Sequence, residues 1–217
     1  CMYLLHGLYD DCSVWQRLTN VERYAEAHGI AVIMPDAGKS FYTDMKYGYK
    51  YFTYISEELI SYTRKIFCIS RERDKTYICG NSMGGYGAFK IALSKPGTFG
   101  AAISMSGALN IGARNQKSMW FDGADAIWGD DGFEKIAGSE DDLFVLAKSA
   151  ENSDEVLPRL LQICGTEDHL YNENVIFRDF ISERAFDYRY IEASGGHNWD
   201  FWDKHLSEAM DFACGKD

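Results

Sequence analysis

The sequence predicts an α/β fold in three layers, a mostly parallel sheet with helices on both faces. Two observations carry the prediction. Short apolar runs at residues 2–6, 30–34, 76–79, 100–105, 159–164 and 188–193 alternate with helical patterns. These runs are continuous in their apolar character, as strands buried on both faces are. A length of 217 residues, 46% hydrophobic and 15% aromatic, suits one domain with a substantial core.

Taken in order, the first run (2–6) ends at Gly7, and the second (30–34) is closed by Pro35. Phe52, Ile55, Leu59, Tyr62 and Ile66 then recur at steps of three and four, which predicts a helix with one apolar stripe. Run 76–79 leads into a segment rich in small residues (Gly84, Gly85, Gly87, Ala88, Ala92), expected as a helix packed close to the sheet. After run 100–105, the segment 110–154 is acidic, carries several glycines, and holds Trp120, Phe121 and Trp128. It reads as an insertion between two strands, either a cap over a pocket or a packed helical excursion. Runs 159–164 and 188–193 come next. Trp202, Leu206, Met210 and Ala213 predict a final helix.

Composition narrows the function. Thirty-three acidic side chains against 22 basic ones give a net charge of −11, which disfavours nucleic acid and anionic membrane as partners and leaves small neutral or cationic molecules. No apolar run approaches the ~20 residues that span a bilayer. The six cysteines (Cys1, Cys12, Cys68, Cys79, Cys164, Cys214) show no paired spacing and are expected as reduced thiols. No metal-ligand spacing is present, and neither a metal nor an organic cofactor is expected.

The motif with chemical content is Gly80-Asn-Ser82-Met-Gly84, a G-x-S-x-G pattern between an apolar strand and a small-residue helix. A sharp strand-to-helix turn lifts the serine hydroxyl clear of the sheet, and glycines flank it because a Cβ there would strike neighbouring backbone. The pattern resembles the nucleophile turn of α/β-hydrolases, in which an acid and then a histidine come after the serine along the chain. Gly165-Thr-Glu167-Asp168-His169 lies beyond one strand and Ser194-Gly-Gly-His197-Asn-Trp199 beyond the next, so both loops belong on the face that holds Ser82. His197 is the expected general base and Asp168 its orienting acid, with Glu167 as rival. The oxyanion donors are expected to be the backbone N–H groups of Met83 and of Leu8, the latter in the His6-Gly7-Leu8-Tyr9 loop. His6 itself is read as structural, and His28 and His205 as surface residues. Aromatic residues on loops, Tyr9, Phe41, Tyr42, Trp120, Trp128, Tyr171 and Trp199, are candidates for lining a substrate pocket.

Together these residues resemble the esterase D family, which contains S-formylglutathione hydrolases and small acyl esterases of the tributyrin-esterase type. The resemblance covers nearly the whole chain. It rests on Leu4-Leu5-His6-Gly7-Leu8-Tyr9-Asp10-Asp11, on Met34-Pro-Asp-Ala-Gly-Lys-Ser-Phe41-Tyr42-Thr-Asp44, on the Ser82 motif, and on the Asp168 and His197 loops. It implies an α/β-hydrolase three-layer sandwich, a Ser82–Asp168–His197 triad, cofactor-free cleavage of short acyl esters, and a homo-oligomer. The family has two strands ahead of the first one here, so the chain, which opens at Cys1 inside an apolar run, is expected to be a piece lacking them, with strand 30–34 near an exposed edge. The expected compartment is the cytoplasm, a removed signal peptide being the alternative. The loop after Gly7 lacks the Thr-Cys character of the formylglutathione branch. That favours the short-chain branch, which includes enzymes acting on acetyl or feruloyl groups. An acyltransferase on the same triad and a non-enzymatic binding module are the competing classes.

Overall fold

The computed structural model describes residues 1–113, 123–130 and 132–216. Each predicted run forms a strand: β1 (Met2–Leu5), β2 (Val32–Ile33), β3 (Tyr77–Asn81), β4 (Ala101–Met105), β5 (Arg159–Gly165) and β6 (Tyr188–Ala193). They pair in the order β2-β1-β3-β4-β5-β6, every pair parallel. The registers Leu5↔Gly80, Asn81↔Met105, Met105↔Ile163 and Gly165↔Ala193 align the C-terminal ends of five strands along one rim. Strand β2 is held by only two pairs, Met2↔Val32 and Tyr3↔Ile33, and lies at an edge of the sheet.

Alternation along the strands divides the core in two. Met2, Leu4, Cys79, Ile103 and Leu161 pack under α1 (Val14–Leu18), α2 (Val21–His28) and α9 (Trp199–Cys214). Tyr3, Leu5, Ile78, Ala102 and Leu160 pack under α5 (Met83–Ser94), α7 (Leu143–Glu151), α8 (Tyr171–Ile181) and the helix ending in α4 (Ile60–Ile66). In α9 the predicted stripe is buried: Leu206 and Met210 have no accessible surface, and Trp202 and Ala213 almost none. Burying a side chain of that size contributes about 1.5–3 kcal/mol, so Leu206→Ala is a substitution that would loosen this layer. Asn198 caps α9 by accepting from the Phe201 N–H at 3.0 Å.

The helix over residues 51–66 departs from its predicted stripe. It begins as α3 (Tyr51–Thr53), widens into a π-helical turn (Tyr54–Leu59), and resumes as α4. The wider turn rotates the residues beyond it relative to a 3.6-residue period. Ile55, Leu59, Ile60 and Thr63 therefore face the core, while Tyr62 and Ile66, expected inside, are 60% and 52% exposed.

Segment 110–154 resolves into different parts. Helix α7 is an ordinary crossover helix between β4 and β5, burying Leu143, Leu146, Ala147 and Ala150. Ahead of it lies the short α6 (Ala124–Trp128), whose backbone pairs with a neighbouring loop through Lys46 N–H to Ile127 O (2.7 Å) and Tyr47 N–H to Ala126 O (2.9 Å). Trp120 and Phe121 lie outside the described residues. No helix among the described residues is long and apolar enough to cross a membrane.

Candidate active site

Ser82 joins β3 to α5 at φ 54° and ψ −116°, a conformation L-residues avoid. The turn is possible because the helix comes very close to the sheet. A Cβ on Gly84 would collide with the carbonyls of Leu5 and His6, and one on Gly80 with the backbone of Gly84. The strain is held by main-chain bonds on both sides: Ser82 N–H donates to Met105 O (2.9 Å) and Ala108 N–H to Ser82 O (3.2 Å).

The partners come from the ends of β5 and β6. Those loops are tied together by Thr166 N–H to Ala193 O (2.9 Å) and Glu167 N–H to Gly195 O (3.1 Å). As a result His197 Nε2 stands 2.9 Å from Ser82 Oγ, while its Nδ1 is 2.9 and 3.1 Å from the two Asp168 oxygens. Bonded to a carboxylate, Nδ1 carries the proton, and Nε2 is left as the acceptor for the serine hydroxyl.

The two neighbouring acids have separate tasks. Asp168 is buried; burial pushes its carboxyl up, but the hydrogen bond and charge of His197 oppose this, as do the Leu170 N–H (2.8 Å) and the Ser106 hydroxyl. The net result lies below the ordinary carboxylate range. Glu167 is exposed and does not reach His197. It accepts from the Gly195 N–H and the Thr166 hydroxyl (2.8 Å), clamping the loop that presents His197, and the Gly195 bond leads in lowering its carboxyl.

Met83 opens α5, so its N–H belongs to the first turn and has no intrahelical acceptor. The other expected donor, Leu8, lies just beyond a backbone braced from several sides. Ala37 N–H donates to His6 Nε2 at 3.0 Å, which leaves the proton on Nδ1, 2.7 Å from Gly7 O. Tyr42 OH donates to His6 O (2.9 Å), and Trp15 Nε1 to Leu5 O (3.1 Å). His6 is thus structural, as read from the sequence.

Among the aromatic candidates, Phe41 and Tyr42 require correction. Both have no accessible surface and belong to the core on which this loop rests, each in a left-handed conformation. An aromatic side chain on a loop can turn inward when a glycine opposite makes room, and the Tyr42 ring lies where a Cβ on Gly87 would stand. Tyr9 is 59% exposed beside the Leu8 loop, with Lys39 Nζ 4.4 Å from its ring. Tyr171 is half-buried; its hydroxyl donates to Glu192 (2.8 Å) and its N–H to Asp168 O (2.9 Å). Trp199 is half-buried and meets Trp15 and Trp202 edge-on at 5.0 and 4.9 Å. Trp128 donates to Asp141 (2.9 Å) and packs on Phe41 at 5.6 Å. Trp120 is outside the described residues.

Several contributors escape a sequence reading. Ser106, buried and at φ 50°, accepts from Trp202 Nε1 (3.2 Å), and its hydroxyl helps hold the Asp168 carboxyl down. Trp202 in turn packs edge-on against His197 at 4.9 Å. Nothing in Met105-Ser106-Gly107 marks this; the β4–β5 register creates it. His28 and His205, expected at the surface, have buried side chains: His28 bridges Tyr24 O (2.6 Å) and Asp211 (2.9 Å), and His205 packs on Phe201. Lys90 on α5 is buried as well, and ties Thr43 (2.7 Å) and Asp141 to the nucleophile helix. Burial lowers its ammonium, with the Asp141 carboxylate opposing. A cavity of ≈ 880 Å³ opens beside it, walled by Phe52, Trp128 and Leu146 among others; no triad candidate lines it.

A serine on a strained strand-to-helix turn, bonded to a histidine that is bonded to a buried aspartate, on a parallel sheet of this order, defines a serine hydrolase of the α/β-hydrolase fold. Comparison with known proteins agrees. A fluorophosphonate-binding serine hydrolase, FphF of Staphylococcus aureus, is 35% identical with a TM-score of 0.91, over 98% of this chain and 82% of that one. S-formylglutathione hydrolase of the same organism is 36% identical with a TM-score of 0.88, covering 98% and 83%. An acetyl esterase of Caldicellulosiruptor saccharolyticus is 31% identical over 220 residues, 97% of this chain and 82% of its own. The Esterase family model matches residues 1–213, and the chain belongs to that family of carboxylic ester hydrolases.

Proposed function

We propose that the protein hydrolyses short-chain acyl esters, acetyl esters foremost, through an acyl-enzyme on Ser82. The observation that carries this is the 2.9 Å approach of His197 Nε2 to a serine hydroxyl held on a strained turn. His197 takes the Ser82 proton as the hydroxyl attacks the ester carbonyl, and the N–H groups of Met83 and Leu8 receive the oxyanion. His197 then returns the proton to the departing alcohol, and water repeats the cycle on the acyl-enzyme. Asp168 holds the productive tautomer and stabilises the imidazolium. Tyr9, exposed beside the Leu8 loop, and Trp199, which opens α9 just after His197, are the aromatic side chains proposed to meet the substrate. The acetyl preference is supported by the similarity to an acetyl esterase.

The similarity to an S-formylglutathione hydrolase supports a second reading, hydrolysis of that thioester. A series of p-nitrophenyl acetate, butyrate and octanoate beside S-formylglutathione separates the two. Highest kcat/KM on acetate is the expected result, and a large preference for the thioester would replace the first reading by the second. Product analysis with added alcohol distinguishes hydrolysis from acyl transfer.

A further inference from the structure

The sequence has no metal-ligand spacing, yet the fold assembles a set of ligands. Asp168, His169 and His197 each offer one ligand atom, and these atoms lie within 4.8 Å of one another. His169 Nδ1 is 3.8 Å from Asp168 Oδ1, and its ring meets the His197 ring at 4.4 Å and 61°. His197 Nδ1 already lies 2.9 and 3.1 Å from the Asp168 oxygens. Zinc holds imidazole nitrogen and carboxylate oxygen at about 2.0–2.2 Å, which puts tetrahedral ligand atoms about 3.3 Å apart. The His197–Asp168 pair needs to open by only a few tenths of an ångström. His169 must swing inward, by about half an ångström toward Asp168 and by up to about 1.5 Å toward His197, to reach that separation.

We propose that Asp168, His169 and His197 form an inhibitory site for Zn²⁺ and chemically similar divalent transition metals. The inhibitory part rests on the reading of His197 as general base. A neutral imidazole has one N–H and one lone pair. A metal on Nδ1 displaces the proton to Nε2, which then faces Ser82 as a donor and accepts nothing. The base is lost without any covalent change, and a chelator restores it. His169 is what distinguishes this site from an ordinary triad, since it raises two ligands to three and leaves a fourth position open to water.

The test titrates ZnCl₂ into p-nitrophenyl acetate turnover by the wild type and by His169→Asn, with reversal by EDTA. Co²⁺ absorption spectra of the wild type, His169→Asn and Ser82→Ala accompany it. Reversible inhibition of the wild type is expected, with at least about tenfold more zinc needed for His169→Asn. Tetrahedral Co²⁺ bands should form in the wild type and in Ser82→Ala and be lost in His169→Asn. Equal inhibition of wild type and His169→Asn would overturn the proposal by placing the metal elsewhere, for example on the exposed thiols of Cys12 and Cys68. So would a wild type indifferent to zinc, or Co²⁺ bands that persist without His169. Co²⁺ bands that depend on His169 in a protein with no turnover in metal-free buffer would sink the esterase reading and its inhibition, while leaving the metal site standing.

Discussion

Two regions of this molecule meet at α5 and are fastened to it differently. At its N-terminal end, Ser82, Asp168 and His197 stand on loops that leave neighbouring parallel strands, cross-tied by main-chain hydrogen bonds within a few residues of each strand end. Two turns further on, the segment between β4 and α7 reaches the same helix through side chains: Lys90 to Asp141, and Asp141 to Trp128. The first arrangement fixes geometry through the sheet, which is rigid for any sequence that folds. The second rests on Asp141, whose carbonyl accepts from Tyr86 OH (2.7 Å) and whose carboxylate is paired with buried Lys90, each charge needed to offset the desolvation of the other. Reacting groups are thereby separated from the region that walls the cavity beside Lys90.

That contrast can be broken at the relay first. Asp168→Asn should lower kcat by about 10⁴-fold, because an amide favours the wrong tautomer of His197. Stopped-flow or steady-state turnover on p-nitrophenyl acetate measures it. The same variant should alter acid stability. A carboxyl held below its ordinary range contributes stability that is present above the unfolded-state value and is lost as pH falls through the lowered folded value. Urea midpoints of wild type and Asp168→Asn should therefore differ in their pH dependence below about pH 4.

Next comes the ionic network. Asp141→Ala leaves Lys90 buried without its counter-charge and should cost about 3–5 kcal/mol in urea unfolding. Turnover of p-nitrophenyl acetate by the folded fraction should stay within severalfold of wild type, since the relay is anchored to the sheet. A loss of kcat comparable to Asp168→Asn would show that the two regions are not separable.

Ser106→Ala sharpens the picture of the relay. Losing the Ser106 hydroxyl removes one of the groups that hold the Asp168 carboxyl down, which should leave Asp168 more basic and strengthen its hold on a protonated His197. The acid limb of kcat/KM should move to higher pH, with a cost of about 1–3 kcal/mol. A merely structural role would lower activity without moving the limb. The smallest effect is expected from Glu167→Gln, which keeps a hydrogen-bond acceptor for Gly195 and should leave kcat nearly unchanged. A drop as large as that of Asp168→Asn would reverse the assignment of the two acids.

The same division separates the features legible in the sequence from those that were not. The central strands β1, β3, β4 and β5 could be read because mostly apolar runs report burial directly. The edge strands β2 and β6 are only partly buried; β2 is short and the apolar run of β6 is interrupted. The Ser82, Asp168 and His197 positions could be read because they sit one or a few residues beyond those runs. The π-helical turn could not, since a single extra residue per turn leaves no mark in a five-residue stripe. Phe41 and Tyr42 were indistinguishable from pocket aromatics, because their inward turn depends on distant elements: Tyr42 fills space left by Gly87, and Phe41 packs on Tyr86 and Trp128. Lys90 looked like a solvent-facing lysine until its partner from another segment was in place. Ser106 and His169 owe their positions to register and to loop geometry, which local pattern does not encode.

The central claim is that Ser82 is the nucleophile of a relay already assembled in the folded chain. Turnover of p-nitrophenyl acetate by wild type and Ser82→Ala, with circular dichroism to establish equal folding, tests it most directly. The account predicts strong turnover that falls by about 10⁶-fold in the variant, with an unchanged spectrum. A folded Ser82→Ala that retains wild-type turnover would contradict it.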